Sequence, residues 1–590
     1  MFIRRLSPIA FLLALTMAPT PAGAEQSSPK LDRALEQARR EGRSSRVIVT
    51  TRHGAGNWLK SQLRDQGVTA TEDLESIDAL SVQLTPAQID AVCESAAAET
   101  CSVDAEVVAT ASVRRPRFSR SPASESPLLG VLGLAAERRP SGAGITVAVI
   151  DSGLHPSVAF WGRIRTFVDF TGGGARRTIP SDAYGHGTHV AGLIGARAPA
   201  ADAAMQGIAP GVSFVGLKVL DSEGRGRTSD VIRAIEFAVE HRRRFGIDII
   251  NLSLGHPIFE PAASDPLVQA VENAVRAGII VVASAGNFGS DPNGDPGYAG
   301  ITSPGNAPSA ITAGAFDHQG TAARGDDRLT DYSSRGPSWH DGLAKPDVVA
   351  PGHLLLAELA PGSALAETYP HFVQDGPSGR RYLQLSGTSM AAAVTTGVVA
   401  LMKDAFPSLT PNLAKAALQF TALPLGDEHG QRYDVLSQGT GAVNGEGVLR
   451  LLQSVDLDVT NLNREWTSMP HCGAAMDSCS TTVAGQTYAW AGNIVWGENI
   501  VWGNSLFYNL PVWGLNIVWG ENIVWGENIV WGENIVWGEN IVWGENIVWG
   551  ENIVWGENIV WGENIVWGEN IVWGENIVWG ESMATVGGSR

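Results

Sequence analysis

Three residues of the kinds that nucleophilic catalysis needs lie far apart in the sequence: Asp151, His186 and Ser389. A serine hydroxyl is a poor nucleophile near neutral pH, so it needs an imidazole within hydrogen-bond reach to accept its proton. A buried carboxylate can then fix the imidazole tautomer and stabilise the imidazolium. Taken singly, such residues are more often a turn aspartate, a structural histidine or a loop serine. Together they predict acyl-transfer chemistry if the fold brings them into contact.

The segments around these residues alternate between strand and helix patterns. Apolar runs without polar alternation, typical of parallel strands covered on both faces, occur at 145–150, 214–220, 247–252 and 279–283. Helical patterns lie between them, one over 232–239 with Ser229 as its expected cap and one over 270–277. The alternation predicts an α/β fold with a doubly wound, mostly parallel sheet. Ligands of such sheets bind beyond the carboxyl ends of strands, which is where Asp151 falls.

Each of the three residues lies in a longer string that resembles a signature of the subtilisin-like serine proteases. The strings are Val147-Ala148-Val149-Ile150-Asp151-Ser152-Gly153, His186-Gly187-Thr188-His189-Val190-Ala191-Gly192 and Ser386-Gly387-Thr388-Ser389-Met390-Ala391. Their order along the chain, Asp, His, Ser, is also the order in this family. The resemblance covers about residues 128–455 and implies a catalytic triad. It also implies that Asn287 donates to the oxyanion, a contact worth on the order of 3 kcal/mol of barrier.

The resemblance further implies how a substrate would bind. In this family the substrate backbone lies as a strand between two enzyme segments, here Ser253-Leu254-Gly255 and the stretch near Gly224. The pocket beside the scissile bond would be walled by 283–286 and by Phe288, with no acidic residue in the motif. A buried Lys or Arg would stay unpaired there, so we expect cleavage after large apolar residues such as Phe, Leu or Tyr.

Upstream of these motifs lies a small α+β pattern that is similar in position to the propeptides of the family. Strand patterns occur at 46–50, 80–84 and 105–110, with helical patterns around 58–63 and from Pro86 onward. Such propeptides assist folding, block the cleft and are then cut away. The basic, Pro- and Ser-rich segment 114–126 follows, either as a cleavable linker or as an ordinary interdomain spacer.

The first residues have the pattern of an export signal. Arg4 and Arg5 precede an apolar run over 9–17, and 22–24 reads Ala-Gly-Ala, which predicts cleavage before Glu25. No apolar run reaches the length of about 18 residues that a membrane span needs, so a secreted protein without a span is expected. The formal net charge of −19 argues against binding to nucleic acid.

Four cysteines suit an oxidising compartment. Proximity pairs Cys93 with Cys101 and Cys472 with Cys479, although four cysteines allow three connectivities.

Metal binding receives little support from the sequence. His186 and His189 lie three residues apart, but no Glu follows in the pattern of zinc proteases. The resemblance implies a packing role for His189. Where relatives carry calcium ligands, this chain has Ser157, and the loop 197–206 offers only Asp202. We expect no required cofactor; calcium stays possible, for example at the acidic stretch 291–295.

The C-terminal part is a hexapeptide repeat. Asn-Ile-Val-Trp-Gly-Glu occurs eleven times without a departure over 516–581, after a copy at Asn493 and a near-copy at Asn499. Four strand-forming residues followed by Gly-Glu suit a meander of short hairpins, and a six-residue period also suits a β-solenoid. The repeats are expected to be a spacer or anchor, or else to bind polysaccharide or another protein.

The sequence therefore predicts a secreted serine endopeptidase that is made as a self-processing zymogen and that acts on proteins and peptides. The alternative is a surface-display or adhesive protein in which the repeats are the functional part. The predicted units are a signal peptide (1–24), a propeptide with the basic linker (25–120), a catalytic domain (121–455), a linker (456–492), the repeats (493–581) and a tail (582–590).

Overall fold

The computed structural model describes residues 30–68, 71–110, 127–134, 139–290, 296–454, 467–468 and 479–496, and the backbone of strands between 499 and 583. The predicted signal peptide and the basic linker lie outside the described residues. Within the described residues, no helix is both long enough and apolar enough to cross a membrane.

The N-terminal unit is a four-stranded antiparallel sheet with helices packed on it. Its elements are α1 (Arg33–Arg40), β1 (Ser45–Thr51), α2 (Gly56–Asp65), β2 (Thr71–Leu74), β3 (Ala79–Leu84), α3 (Pro86–Cys93), β4 (Ala98–Val103) and β5 (Glu106–Ala109). The sheet order is β2-β3-β1-β4, and β5 leaves this sheet to pair elsewhere. The α3 helix begins with a capping box between Thr85 and Gln88, with Pro86 in the first turn. The small α+β pattern is thus present, and α1, β2 and β4 add to it.

One of the two predicted disulfides joins α3 to β4. The sulfur atoms of Cys93 and Cys101 are 2.13 Å apart, as the proximity argument predicted. Cys472, of the other predicted pair, lies outside the described residues.

The unit predicted to be catalytic, called the catalytic unit below, contains one large sheet and two smaller ones. Its strands are β6 (Thr146–Asp151), β7 (Ile164–Asp169), β8 (Arg176–Arg177), β9 (Ser213–Lys218), β10 (Arg225–Arg227), β11 (Ile247–Leu252), β12 (Leu254–Pro257), β13 (Ile280–Ser284), β14 (Thr302–Ser303), β15 (Ile311–Asp317), β16 (Arg328–Leu329), β17 (Val348–Pro351), β18 (Leu355–Glu358), β19 (Val373–Asp375) and β20 (Arg381–Leu385). The main order is β16-β15-β13-β11-β6-β9-β7-β8, with β17 on β15. Pairing is parallel throughout its interior, and β8 and β16 are antiparallel additions at the edges. The predicted parallel sheet is confirmed.

Helices cover both faces of this sheet. They are α4 (Pro127–Val131), α5 (His186–Gly195), α6 (Thr228–Glu240), α7 (Arg242–Phe245), α8 (Pro266–Arg276), α9 (Ala364–Thr368), α10 (Thr388–Ala405), α11 (Pro411–Thr421), α12 (Val435–Gln438) and α13 (Gly445–Ser454). In β6 and β13, alternate residues enter two separate apolar cores, so that Val147 packs with α5 and α10 while Ala148 packs with α6 and α8. Burial on both faces explains why the strands are apolar without alternation.

A C-terminal hairpin extends the core on the α11 side. It consists of β22 (Ser480–Val483) and β23 (Gln486–Ala489), after the short strand β21 (Thr467–Ser468). Trp490 and Ile494 are buried in the same core as α10 and α11. The predicted linker over 456–492 therefore contains a hairpin that packs on the catalytic unit.

The C-terminal region forms short strands, most of them hexapeptide copies, and the copies have two pairing patterns; β26 and β38 lie outside the copies, and β26 pairs with β21. The strands are β24 (Asn493–Trp496), β25 (Asn499–Trp502), β26 (Ser505–Leu506), β27 (Leu515–Trp519), β28 (Asn522–Trp525), β29 (Asn528–Trp531), β30 (Glu533–Trp537), β31 (Asn540–Trp543), β32 (Asn546–Trp549), β33 (Asn552–Trp555), β34 (Asn558–Trp561), β35 (Asn564–Trp567), β36 (Asn570–Trp573), β37 (Asn576–Trp579) and β38 (Ser582–Met583). β24 and β25 pair as an antiparallel hairpin. The unbroken copies instead pair in parallel with the third copy onward, in the three sheets β27-β30-β33-β36, β28-β31-β34-β37 and β29-β32-β35-β38. This backbone pattern is that of a solenoid with three copies in each coil.

Candidate active site

Asp151 and His186 form a buried pair at the carboxyl end of the sheet. Asp151 is the last residue of β6, and His186 is the first residue of α5. The histidine Nδ1 lies 2.8 Å from one carboxylate oxygen and 3.0 Å from the other. Both side chains are fully buried. A Cβ added to Gly187 would lie 2.2 Å from the Gly153 carbonyl oxygen, so glycine is required where α5 approaches β6.

A second carboxylate, that of Asp182, fixes this junction and was not among the predicted site residues. Asp182 accepts hydrogen bonds from the Ser152 hydroxyl (2.8 Å) and the Gly185 amide (2.7 Å). Its other oxygen accepts from the amide (2.8 Å) and the hydroxyl (2.7 Å) of Thr188. It thereby ties the residue after Asp151 to the first turn of the helix that carries His186. An aspartate in an irregular loop gives no sequence signal for such a role.

Ser389 is the second residue of the long helix α10, which packs directly on α5. Its hydroxyl donates to the Ser253 carbonyl oxygen (3.0 Å) and contacts the Thr110 hydroxyl oxygen (2.6 Å). The His186 Nε2 atom is buried and has no hydrogen-bond partner among the described residues. The structure thus places a serine and an imidazole at neighbouring helix starts, with the serine hydroxyl turned towards Ser253. No hydrogen bond joins the Ser389 hydroxyl to His186 in this arrangement of the described residues.

The side chain of Asn287, the predicted oxyanion donor, lies between Thr110 and Thr388. Its Nδ2 donates to the Thr110 carbonyl oxygen at 2.7 Å. Its Oδ1 accepts from the amide (3.0 Å) and the hydroxyl (3.1 Å) of Thr388, the residue before Ser389. These contacts fix the orientation of the amide, so the donor points at a carbonyl beside Ser389 before any charge develops.

The cleft beside these residues is filled by the end of the N-terminal unit. β5 pairs antiparallel with β10 on one side and with β12 on the other. The Ala109 amide donates to the Gly224 carbonyl (3.2 Å), and the Thr110 amide donates to the Ser253 carbonyl (3.3 Å). The two enzyme segments that the sequence analysis named for substrate binding, at Gly224 and at 253–255, therefore hold an extended strand between them.

The predicted pocket wall lies around Thr110. Ala283, Ser284 and Ala285 are buried at the end of β13. Phe288 is 56% exposed, and its amide donates to the Ser334 hydroxyl. The Thr110 hydroxyl donates to the Ser284 hydroxyl at 2.8 Å.

Two further residues with metal-binding side chains are used structurally. His189 is buried and its Nε2 donates to the Leu355 and Leu383 carbonyls, and burial lowers its pKa to about 3, so the ring is neutral. The Asp202 carboxylate accepts from Ser378 and from the Tyr382 hydroxyl. Across the described residues no group of three or more His, Cys, Asp or Glu could hold a metal ion. The acidic stretch 291–295 lies outside them.

An aspartate of the N-terminal unit caps a helix of the catalytic unit. Asp104 accepts from the Ser229 amide (2.9 Å) and hydroxyl (2.7 Å) in the first turn of α6. It also accepts from Ser81 and from the Arg46 guanidinium at 2.9 and 2.8 Å. The expectation that Ser229 caps this helix is wrong, because the helix begins one residue earlier, at Thr228. Instead Asp104 supplies the acceptor from another unit of the fold.

A parallel α/β sheet that brings an Asp–His pair, a helix-start serine and an oriented amide to one cleft defines a serine hydrolase. The subtilase family model matches residues 142–449, more than half of the chain. The chain therefore belongs to the subtilase family of serine proteases.

Three comparisons give the extent of the likeness. The chain is 36% identical over 311 residues to the serine protease AprX of Bacillus subtilis, covering 52% of this chain and 66% of that protein. It is 33% identical over 289 residues to subtilisin DY of Bacillus licheniformis, covering 48% of this chain and 86% of that protein. Fervidolysin from Fervidobacterium pennivorans, a keratinolytic enzyme related to subtilisin, shares 21% identity with a TM-score of 0.51 over 69% of this chain and 61% of that structure, a likeness of fold.

Proposed function

We propose that the protein is a secreted serine endopeptidase with Asp151, His186 and Ser389 as its triad. The hydroxyl of Ser389 attacks the substrate carbonyl while His186 Nε2 accepts its proton, and Asp151 stabilises the imidazolium. The negative oxygen of the tetrahedral intermediate forms where Asn287 already donates. His186 then passes the proton to the leaving amine, and water hydrolyses the acyl-enzyme. The observation that carries the proposal is the 2.7 Å bond from Asn287 to a carbonyl beside Ser389.

The same cleft supports a zymogen that processes itself. Residues 106–110 occupy it as a strand, with the Thr110 carbonyl held by Asn287 and its hydroxyl against Ser389. The N-terminal unit thus blocks the site in the manner of a bound substrate, so the bond after Thr110 is the first to be cut. The basic linker then lies beyond the scissile bond and becomes the start of the mature chain.

Export and selectivity complete the proposal. The signal pattern over 1–24 and the Cys93–Cys101 disulfide support a secreted protein. The uncharged wall over 283–286 supports cleavage after neutral residues, large apolar ones among them, in preference to Lys or Arg. The Thr110 side chain in the cleft supports a preference for neutral residues before the scissile bond, and it gives no information about the preferred side-chain size. The repeats act as an anchor or a surface contact, and the catalytic unit requires no metal at Asp202.

The test is hydrolysis of casein by the purified protein. Casein should be cleaved, cleavage should stop after treatment with a serine-directed fluorophosphonate, and the label should be found on Ser389. The Ser389→Ala variant should be inactive and unlabelled. A folded wild-type protein that cleaves nothing and takes up no label would instead favour the surface-display alternative, in which the repeats are the functional part.

A further inference from the structure

The residue beside the scissile bond makes a side-chain contact that a purely apolar pocket would not provide. The Thr110 hydroxyl donates to the Ser284 hydroxyl at 2.8 Å, and both side chains are buried. The same Thr110 oxygen lies 2.6 Å from the Ser389 hydroxyl oxygen. Three hydroxyls therefore form a chain from the pocket wall through the substrate residue to the nucleophile.

Ser284 is held rigidly for this contact. It is the last residue of β13, where it pairs with Ala313 of β15 in the interior of the main sheet. Its neighbours Ala283 and Ala285 are fully buried. A hydroxyl fixed on a central strand is preorganised, so little entropy is lost when it meets a partner. If a methyl group replaced the Thr110 hydroxyl, the buried Ser284 oxygen would lose this donor. The free-energy cost of removing that oxygen from water would then no longer be offset by a hydrogen bond.

We propose that Ser284 determines specificity by recognising a β-hydroxyl side chain on the residue before the scissile bond. At equal side-chain size the enzyme then cleaves after Thr in preference to Val. The inference rests on the proposed endopeptidase function. It adds to the expected preference for neutral residues by naming Ser284 as the polar group that contacts the substrate side chain.

The experiment compares two isosteric substrates on the mature enzyme. They are Val-Val-Ala-Thr and Val-Val-Ala-Val p-nitroanilides, the first copying the residues that occupy the cleft. One neutral hydrogen bond in a desolvated site predicts a kcat/KM roughly three- to tenfold higher for Thr. In Ser284→Ala the Thr to Val ratio should fall to about 1. Because the ratio is taken within each variant, a general change in activity does not affect it.

Several outcomes would overturn the inference. One is a wild-type ratio of 1 or below, and another is an unchanged ratio in Ser284→Ala. Should that variant fail to fold, Ser284→Cys is a closer match in shape and should also lower the ratio, because sulfur is a weak acceptor. Binding of the two tetrapeptide amides to the Ser389→Ala enzyme removes the contact with the nucleophile, and Thr should still bind more tightly. Equal cleavage of both substrates would refute the role of Ser284 and leave the proposed function standing. If neither the two peptides nor casein is cleaved, the proposed function itself is refuted.

Discussion

The Asn287 side-chain amide donates to the Thr110 carbonyl oxygen at 2.7 Å, so the proposed oxyanion donor is bound to the residue that follows β5 in the cleft. In the proposed function, inhibition and catalysis thus use the same atoms. β5 is held between β10 and β12, and the hydroxyl oxygen of the next residue, Thr110, lies 2.6 Å from the Ser389 hydroxyl oxygen. Under the proposed mechanism, the precursor becomes its own first substrate once His186 accepts the Ser389 proton.

Removing the nucleophile and removing the oxyanion donor should have different effects. Ser389→Ala should abolish hydrolysis and leave the signal-free precursor uncut, since no acyl-enzyme can form. Asn287→Ala should keep a low activity, about 10²- to 10³-fold below wild type, because only one donor is lost. Gel analysis of the purified precursors and peptide kinetics measure both. Normal processing of pure Ser389→Ala protein would contradict self-maturation.

The geometry predicts the first bond to be cut. N-terminal sequencing or intact mass of freshly matured protein should show a chain that begins at Ala111. Ala111→Pro should block that cut. The proline ring removes the amide hydrogen of the leaving group and restricts the backbone conformation of Thr110 before it. The matched control, Val113→Pro, should process normally. A first N-terminus within 114–120 would instead show that the basic linker is the primary site.

Some of this site could be predicted from sequence, and the reasons are local. Asp151, His186 and Ser389 each lie in a string of small residues at the start or end of an element. Such strings can be recognised in the sequence without knowledge of the fold. The strands of the main sheet are readable because burial on both faces makes them apolar. The Asp104 cap could not be predicted, since it joins common residue types 125 positions apart. The Thr110–Ser284 contact likewise depends on how two units dock.

The Asp104 cap should stabilise the precursor. Asp104→Ala removes the acceptor from two groups of Ser229 in α6 and from the partly buried Arg46 guanidinium. In the uncut Ser389→Ala background we expect a loss of roughly 1–3 kcal/mol in free energy of unfolding. Urea denaturation measures it. Glu106→Ala is the control, because Glu106 pairs with Arg225 at the surface and should change stability by less than about 1 kcal/mol. Equal effects of the two variants would refute the capping role.

Buried carboxylates near the interface should make the precursor less stable as pH rises. Burial raises the pKa of Asp32 to about 6, and burial together with Asp265 raises the pKa of Glu260 above its ordinary value. A raised carboxyl pKa means that the folded state binds more protons than the unfolded state, so stability is fully present below the unfolded pKa and is lost as pH rises through the folded pKa. In Ser389→Ala precursor, the urea midpoint should therefore fall between about pH 4 and pH 8. Glu260→Gln should flatten this slope, whereas Glu106→Gln should not, and an identical slope in all three proteins would contradict the assignment.

The C-terminal boundary of the stable catalytic unit should lie after the hairpin, not at 455. Trp490 is 6% exposed, and its Nε1 donates to the Thr481 hydroxyl, which also accepts from Asn444 of the catalytic unit at 2.9 Å. The Gly492 amide donates to the Phe420 carbonyl of α11. Truncation after Val455 removes this packing, so the protein should lose about 3–5 kcal/mol of stability, as expected for a buried tryptophan.

Truncation after Asn504 keeps the hairpin and deletes every unbroken repeat, so turnover of a small peptide and the melting temperature should match the full chain. Trp490→Ala in the full chain should reproduce the lower melting temperature of the shorter truncate, while Trp490→Phe should recover part of it. If the protein truncated after Val455 had the same melting temperature as the full chain, the hairpin would lie outside the folding unit. A loss of peptide turnover by the well-folded Asn504 truncate would show instead that the repeats take part in catalysis.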